Sequence, residues 1–272
     1  MTLDKALFIS QEITPYLHAS PLATLCRDLP QSIQEKGTEI RTFMPKYGAI
    51  NERRNQLHEV IRLSGLNIVI DDDDHPLIIK VATLQPSRMQ VYFIDNDDYF
   101  SRSGAGAGLE TETHPADNDE RIMFFARGVI ETVKKLRWVP KVVHCTGWAT
   151  ALAPLYIRRK YADDPTLKNV KIVFSVYPGE PVEVLNSKMV DKLKQDGFAD
   201  EDIAALSEAA AIDAAALSRL AIDYADGVVA ATADADPALI EYARAKGKPV
   251  MDFPGDENYA DAYINFYNTL PE

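Results

Sequence analysis

The chain has 272 residues, 46% of them hydrophobic, and 29 Lys and Arg against 41 Asp and Glu give it a net charge of −12. At roughly 100–200 residues per domain this length suits one large core or two small ones. The acidic balance excludes a general binder of phosphate backbones and argues against docking on anionic membranes, so neither a nucleic acid nor a membrane is expected as a partner.

The opening residues Met1 to Lys5 run directly into a short apolar stretch, Ala6 to Ile9, which lacks the charged-then-apolar layout of a secretory signal. No segment approaches the roughly 18 apolar residues that span a bilayer. The two cysteines, Cys26 and Cys145, have no partner motif, and a reduced cytoplasmic setting is expected.

Lys5 to Ile9 reads as a buried strand, followed by a helix from about Pro21 to Glu35 that Gly37 stops, and by a second strand from Glu39 to Met44. This βαβ pattern predicts a parallel sheet. Ile61 to Ile70, Leu77 to Leu84 and Met89 to Ile94 read as strands of an inserted antiparallel hairpin region, with Asp71 to Asp74 as a solvated tip rather than a cation site. Ser101 to Asp117, rich in Gly, Ser, Thr and Ala, is expected as loop. Asp117-Asn118-Asp119-Glu120 then opens a helix to about Leu136, with acidic residues at the positive end of its dipole. Lys141 to Cys145 is a strand, Trp148 to Tyr161 a helix and Val170 to Tyr177 a strand. An alanine-rich helix is expected from Asp200 to about Tyr224. Beyond it come a strand at Gly227 to Ala231, a helix at Asp236 to Ala245, a strand at Lys248 to Phe253 and a closing helix at Asn258 to Leu270. The pattern predicts one doubly wound, Rossmann-like α/β domain across residues 1–272, with a mainly parallel sheet and an inserted β-hairpin region.

Open parallel sheets bind ligands beyond the carboxyl ends of their strands. Three segments should meet there: Ser10 to His18, His144 to Trp148 and Ser175 to Pro178. Glu12, His18, His144, Thr146 and Tyr177 are therefore candidate substrate contacts. His18 reads either as a solvated loop histidine or as a ligand contact. No dinucleotide fingerprint, phosphate loop or nucleophile elbow is present, and the five histidines make no metal-ligand spacing, so neither metal nor cofactor is expected. His144 and Cys145 are adjacent on a strand and point to opposite faces, which argues against a nucleophile and base pair.

Several segments together resemble the N-terminal half of glycogen and starch synthases, glycosyltransferase family 5. Ala6 to Tyr16 is similar to the family's opening strand and loop, Arg41 to Gly48 to its second strand and turn, and Asp95 to Arg102 to its F-x-R segment. Asp117-Asn118 with Arg121, Phe124 and Phe125 resembles its DN-x-x-RF helix start, and Val142 to Tyr156 resembles its VVHCHDWHTALVPLY segment. Ile222 with Tyr224-Ala225-Asp226 resembles its GI-x-YAD strand lead-in. The match spans about residues 5–232, with residues 248–270 divergent. The resemblance implies the first half of a two-lobed GT-B fold and glucosyl transfer from ADP-glucose to an α-glucan, and it adds Asp117 to the candidate substrate contacts.

This sequence departs from the family where the family does its chemistry. His18, Ala19, Ser20 and Pro21 stand where the KTGG loop would hold the diphosphate of ADP-glucose, and Thr24 replaces an aspartate one turn on. Thr146-Gly147-Trp148-Ala149 replaces HDWH, so alanine occupies the active-site histidine position, and Ser175-Val176-Tyr177-Pro178 replaces T-I-H-N. Histidine is a shorter and mostly neutral substitute for lysine, and Pro21 removes a backbone N–H. The chain also ends soon after the family's first lobe, whereas the second carries most nucleotide-sugar contacts. The expectation is therefore no catalytic residue of its own. An α-glucan or ADP-glucose is the expected ligand, or a protein partner that supplies the second domain.

Overall fold

The computed structural model describes residues 3–100, 117–178, 184–255, 257 and 259–271; the expected loop from Ser101 lies outside these apart from Asp117. Strand β1 (Lys5–Ser10) connects through helix α1 (Pro21–Glu35) to the parallel strand β2 (Glu39–Pro45). The helix starts where it does because the Ser20 hydroxyl accepts the Ala23 N–H at 2.9 Å and Pro21 fits the first turn. Gly37, at φ +98°, ends it.

Strands β3 (His58–Glu59), β4 (Leu66–Ile70) and β5 (Asp73–Leu84) form the antiparallel insertion, and β6 (Met89–Asp95) returns parallel to β2. Helix α2 (Asn118–Leu136) then carries the chain back to β7 (Val142–Thr146), on the other side of β1. From there α3 (Leu152–Arg158), β8 (Lys171–Val176), α4 (Met189–Gln195), α5 (Ala204–Ser207), α6 (Ala214–Tyr224), β9 (Gly227–Ala230), α7 (Pro237–Ala245), β10 (Val250–Met251) and α8 (Tyr259–Thr269) complete the described chain. The strand order is β10-β9-β8-β7-β1-β2-β6-β5-β3, with β4 paired to β5, and every pairing from β10 to β6 is parallel. This is the expected doubly wound α/β architecture.

The helices α2, α3, α6 and α7 pack in series over one face of the sheet, and α1 and α8 pack together over the other. Because α1 covers only the β1–β2 side, the second face of β7, β8 and β9 is left for α8. That helix lays Tyr263 and Tyr267 inward, and Leu270 just beyond it follows, all at most 3% exposed. Gly227 on β9 permits the close approach, since a Cβ there would lie 2.7 Å from Leu270 Cδ2 and 2.9 Å from Phe266 Cζ.

Several boundaries differ from the sequence expectation. The strand expected from Ile61 starts at Leu66, because Val60 to Leu63 form a turn, with the Leu63 N–H on the Val60 carbonyl at 2.8 Å. The hairpin tip is Asp71 and Asp72 alone, at φ +51° and +66°, while Asp73 and Asp74 pair with Ile70 and Val69. Positive φ at both central residues is the demand of a two-residue turn whose twist matches its strands, and Asp tolerates it. The helix expected from Trp148 begins as a 3-10 turn, Trp148–Thr150, and becomes α-helical only at Leu152.

The single alanine-rich helix expected from Asp200 to Tyr224 is instead three pieces: a 3-10 turn at Asp200–Ile203, then α5, then α6. Ile212 is drawn into the core at 6% exposure and its carbonyl accepts the Leu185 N–H at 2.7 Å; the Asp213 carboxylate caps the new helix at the Ala216 N–H, 2.8 Å away. Burial and capping override alanine propensity there. Helix α4, not anticipated, rests on buried Met189 and Leu193, one helical turn apart.

The closing helix is fixed through a buried polar contact, the Tyr267 hydroxyl 2.8 Å from His144 Nδ1. Tyr267→Phe should lower stability by about 1–3 kcal/mol by stranding a buried ring nitrogen, with the fold kept; urea unfolding reads this out, and an unchanged midpoint would contradict it.

Candidate functional site

The winding of the chain reverses between β1 and β7, and open α/β sheets bind ligands at such a reversal, beyond the carboxyl ends of the strands. Parallel register sets the ends level: Ser10 lies opposite Thr146, and Thr146 opposite Ser175. The three segments expected to converge therefore do so.

Each candidate has a definite place. Glu12, half-buried just past β1, accepts a hydrogen bond from the Ser20 hydroxyl, the same hydroxyl that caps α1. The carboxylate thus sits at the positive end of α1. Glu12 forms no ion pair with a Lys or Arg among the described residues. His18 is exposed on the loop between β1 and α1. Thr146 ends β7 at 4% exposure, and Gly147 turns the chain at φ +84° into the buried 3-10 turn, where the Thr150 hydroxyl donates to the Gly147 carbonyl at 2.8 Å. Tyr177 is half-buried just past β8. Asp117 precedes α2 at the same edge, and α2 packs against the 3-10 turn.

His144 is sealed away from the crevice. It is fully buried, with Nε2 2.7 Å from the Ser175 hydroxyl, Nδ1 on Tyr267 and its ring stacked on Phe8 at 5.2 Å. Burial pushes its pKa down to about 3. It holds α8 against the sheet and keeps its neighbours in register, while Cys145 is equally enclosed and its thiol is pushed up by burial.

Cations near this edge are engaged elsewhere. Lys46, ending in the turn after β2, pairs with Glu52 at 2.8 Å; Lys80 joins Glu52 at 2.6 Å to Asp95 at 2.9 Å. Lys192, a residue that local sequence did not flag, reaches from α4 to Asp119 at 2.7 Å and Glu120 at 2.5 Å at the start of α2. Burial works to lower the Lys192 pKa, but its hydrogen bonds to the two carboxylates raise it overall. Glu120 also accepts from the Tyr99 hydroxyl at 2.9 Å, which in turn lies 2.9 Å from His75 Nε2. This edge thus offers hydroxyls, backbone groups and the carboxylates of Glu12 and Asp117, while Lys46, Lys80 and Lys192 are held in ion pairs.

The family model for the starch synthase catalytic domain, glycosyltransferase family 5, matches residues 5–233. The chain belongs to this family. It is similar to the glycogen synthase of Chlorobaculum parvum, 38% identical over 188 residues that make up 69% of this chain and 38% of that protein. To the glycogen synthase of Chlorobium chlorochromatii it is 39% identical over 174 residues, 64% of this chain and 36% of that protein. The chain thus spans about two fifths of the length of these relatives. Its fold matches the catalytic domain of starch synthase IV from Arabidopsis thaliana, solved with ADP and acarbose bound, with a TM-score of 0.72 and 17% identity over 93% of this chain and 51% of that one. No helix among the described residues is long and apolar enough to cross a membrane.

Within the family frame, Ser20, in the His18 to Pro21 segment that replaces KTGG, is bonded to Glu12 of the preceding loop, and the position of the HDWH histidine is Ala149, fully buried. Sequence comparison identified both substitutions; the carboxylate's place at the mouth of α1 needed the structure.

The depressed His144 sets a pH dependence. The folded state refuses a proton that the unfolded state takes up below about 6.5, so this contribution is complete above pH 6.5 and is lost as pH falls toward 3. From pH 7 to pH 5 stability should drop by about 1–2 kcal/mol, and His144→Gln, which keeps both hydrogen bonds possible, should flatten that drop. Equal slopes in the two proteins, measured by urea unfolding at each pH, would count against this account.

Proposed function

We propose that this lobe binds an α-glucan chain in the crevice between β1 and β7 and does not itself transfer glucose from ADP-glucose. Glu12, His18, Asp117, Thr146 and Tyr177 supply the contacts, and His144 positions the floor from beneath. Transfer requires the departing diphosphate to be neutralised and the sugar held against an acceptor hydroxyl. The observation that carries the reading is the Glu12–Ser20 hydrogen bond. It holds a carboxylate at the N-terminus of α1 beside the segment His18 to Pro21, which stands where the family's lysine and glycines would receive the diphosphate. With histidine in place of that lysine, an incoming phosphate meets the carboxylate without a compensating lysine. A neutral glucan is not repelled, and hydroxyls and carboxylates are suitable partners for its hydroxyl groups.

The half-enzyme alternative, in which a partner protein supplies a second lobe, would need the lysine that His18 replaces, because that position belongs to the half present here.

Purified protein given labelled ADP-glucose and glycogen should incorporate no label above a heat-treated control, and His18→Lys should not restore turnover while Ala149 and Glu12 remain. Incorporation by either protein would overturn the non-transferring reading. Maltoheptaose at ten times its Kd should raise the melting temperature by about 2–5 °C; no shift up to 10 mM, about the weakest affinity of use, would remove glucan binding.

A further inference from the structure

At the edge of the sheet opposite the crevice, where β1, β7 and β8 begin, lies a groove of about 880 Å³. Its size falls in the range of small-molecule sites. Its charge is opposite to that of the protein, whose net charge is −12. Lys141, Arg158, Lys168 and Lys171 line it, with Asp226 as the one carboxylate in its wall among the described residues.

The cations differ in how they are held. Arg158 is fixed: one terminal nitrogen donates to the Val170 carbonyl at 2.8 Å and to Asp226, and Asp226 is itself held by the Ile172 N–H at 2.7 Å. The remaining N–H groups of its planar fork are left for a ligand. Lys171 donates to the Leu270 carbonyl at 2.7 Å, where it offsets the negative end of α8. Lys141 is shared with Asp4 at 3.1 Å and is half-exposed. Lys168 is exposed and has no side-chain partner among the described residues. Among the described residues, four cations against Asp226 and Asp4 leave a surplus of two positive charges around one groove. The side-chain amides of Asn169 and Asn268 add neutral donors and acceptors beside them.

We propose that this groove binds a small phosphate monoester on a polyhydroxy body, a sugar monophosphate. The dianionic phosphate matches the surplus of two charges and the fork of Arg158, with Lys141 and Lys168 closing on it. The amides of Asn169 and Asn268 take the hydroxyl groups. The site is separate from the glucan crevice and independent of that reading, because the two lie at opposite ends of the strands.

Calorimetric titration of the full chain tests this with glucose 6-phosphate, inorganic phosphate and glucose. Saturable binding of glucose 6-phosphate is expected, at least ten-fold tighter than inorganic phosphate, with no heat from glucose. The double variant Lys141→Glu, Lys168→Glu should lose at least ten-fold in affinity while keeping its melting temperature, and Lys168→Glu alone, at an exposed position, serves if the double variant unfolds. No saturation by glucose 6-phosphate, equal binding of phosphate or of glucose, or undiminished binding in a folded charge-reversed variant would each overturn the proposal.

Discussion

The parallel register of β1 with β7 governs the rest of the molecule. Ser10 against Thr146 makes the neighbouring strand ends finish at one level, and because the winding reverses between β1 and β7 the connections that leave them run to opposite faces of the sheet, the place where open α/β sheets bind ligands. The same pairing sets which side chains go under α8 and which go to the rim. His144, two residues before the end of β7, is committed to the interior, and Thr146 reaches the edge. A one-residue slip would turn both to the opposite face of the sheet.

Electrostatics then separates this lobe from the chemistry of its relatives. A helix N-terminus at the end of a parallel strand is an anion site by default, because free N–H groups and the helix dipole both favour negative charge. Here the Ser20 hydroxyl and the Glu12 carboxylate have already satisfied that end of α1. Phe8, Val143 and Leu155, in segments that resemble the family, are buried, while His18, Thr146 and Ala149 stand where its pattern has other residues. The opposite edge carries the reverse arrangement, cations collected in an acidic protein, and the two ends of one sheet therefore favour different ligands.

Much of this was legible in the sequence. The strands β1, β2 and β7 announce themselves as short apolar runs, α1 by Ser20-Pro21 and Gly37, and the converging loops by position alone. What was not legible depends on distant partners. The alanine-rich stretch reads as one helix because nothing local reveals that Ile212 will be buried and meet Leu185. His144 reads as a crevice residue because its concealment comes from Tyr267, 123 positions away. Lys192 looks like one more surface lysine until α2 brings Asp119 and Glu120 to it. Patterning reports local structure; charge neutralisation and burial of this kind are tertiary and leave no period to read.

The position of α8 in the chain has a consequence for how the protein is made. Its sheet partners β7 and β8 are synthesised long before it, and until it docks, the imidazole of His144 and the hydroxyl of Ser175 face water on an unfinished surface. Joining elements so far apart carries a loop-closure penalty that local helices do not face. Docking of α8 is therefore expected to follow formation of the sheet, whose second face stays open to water until then.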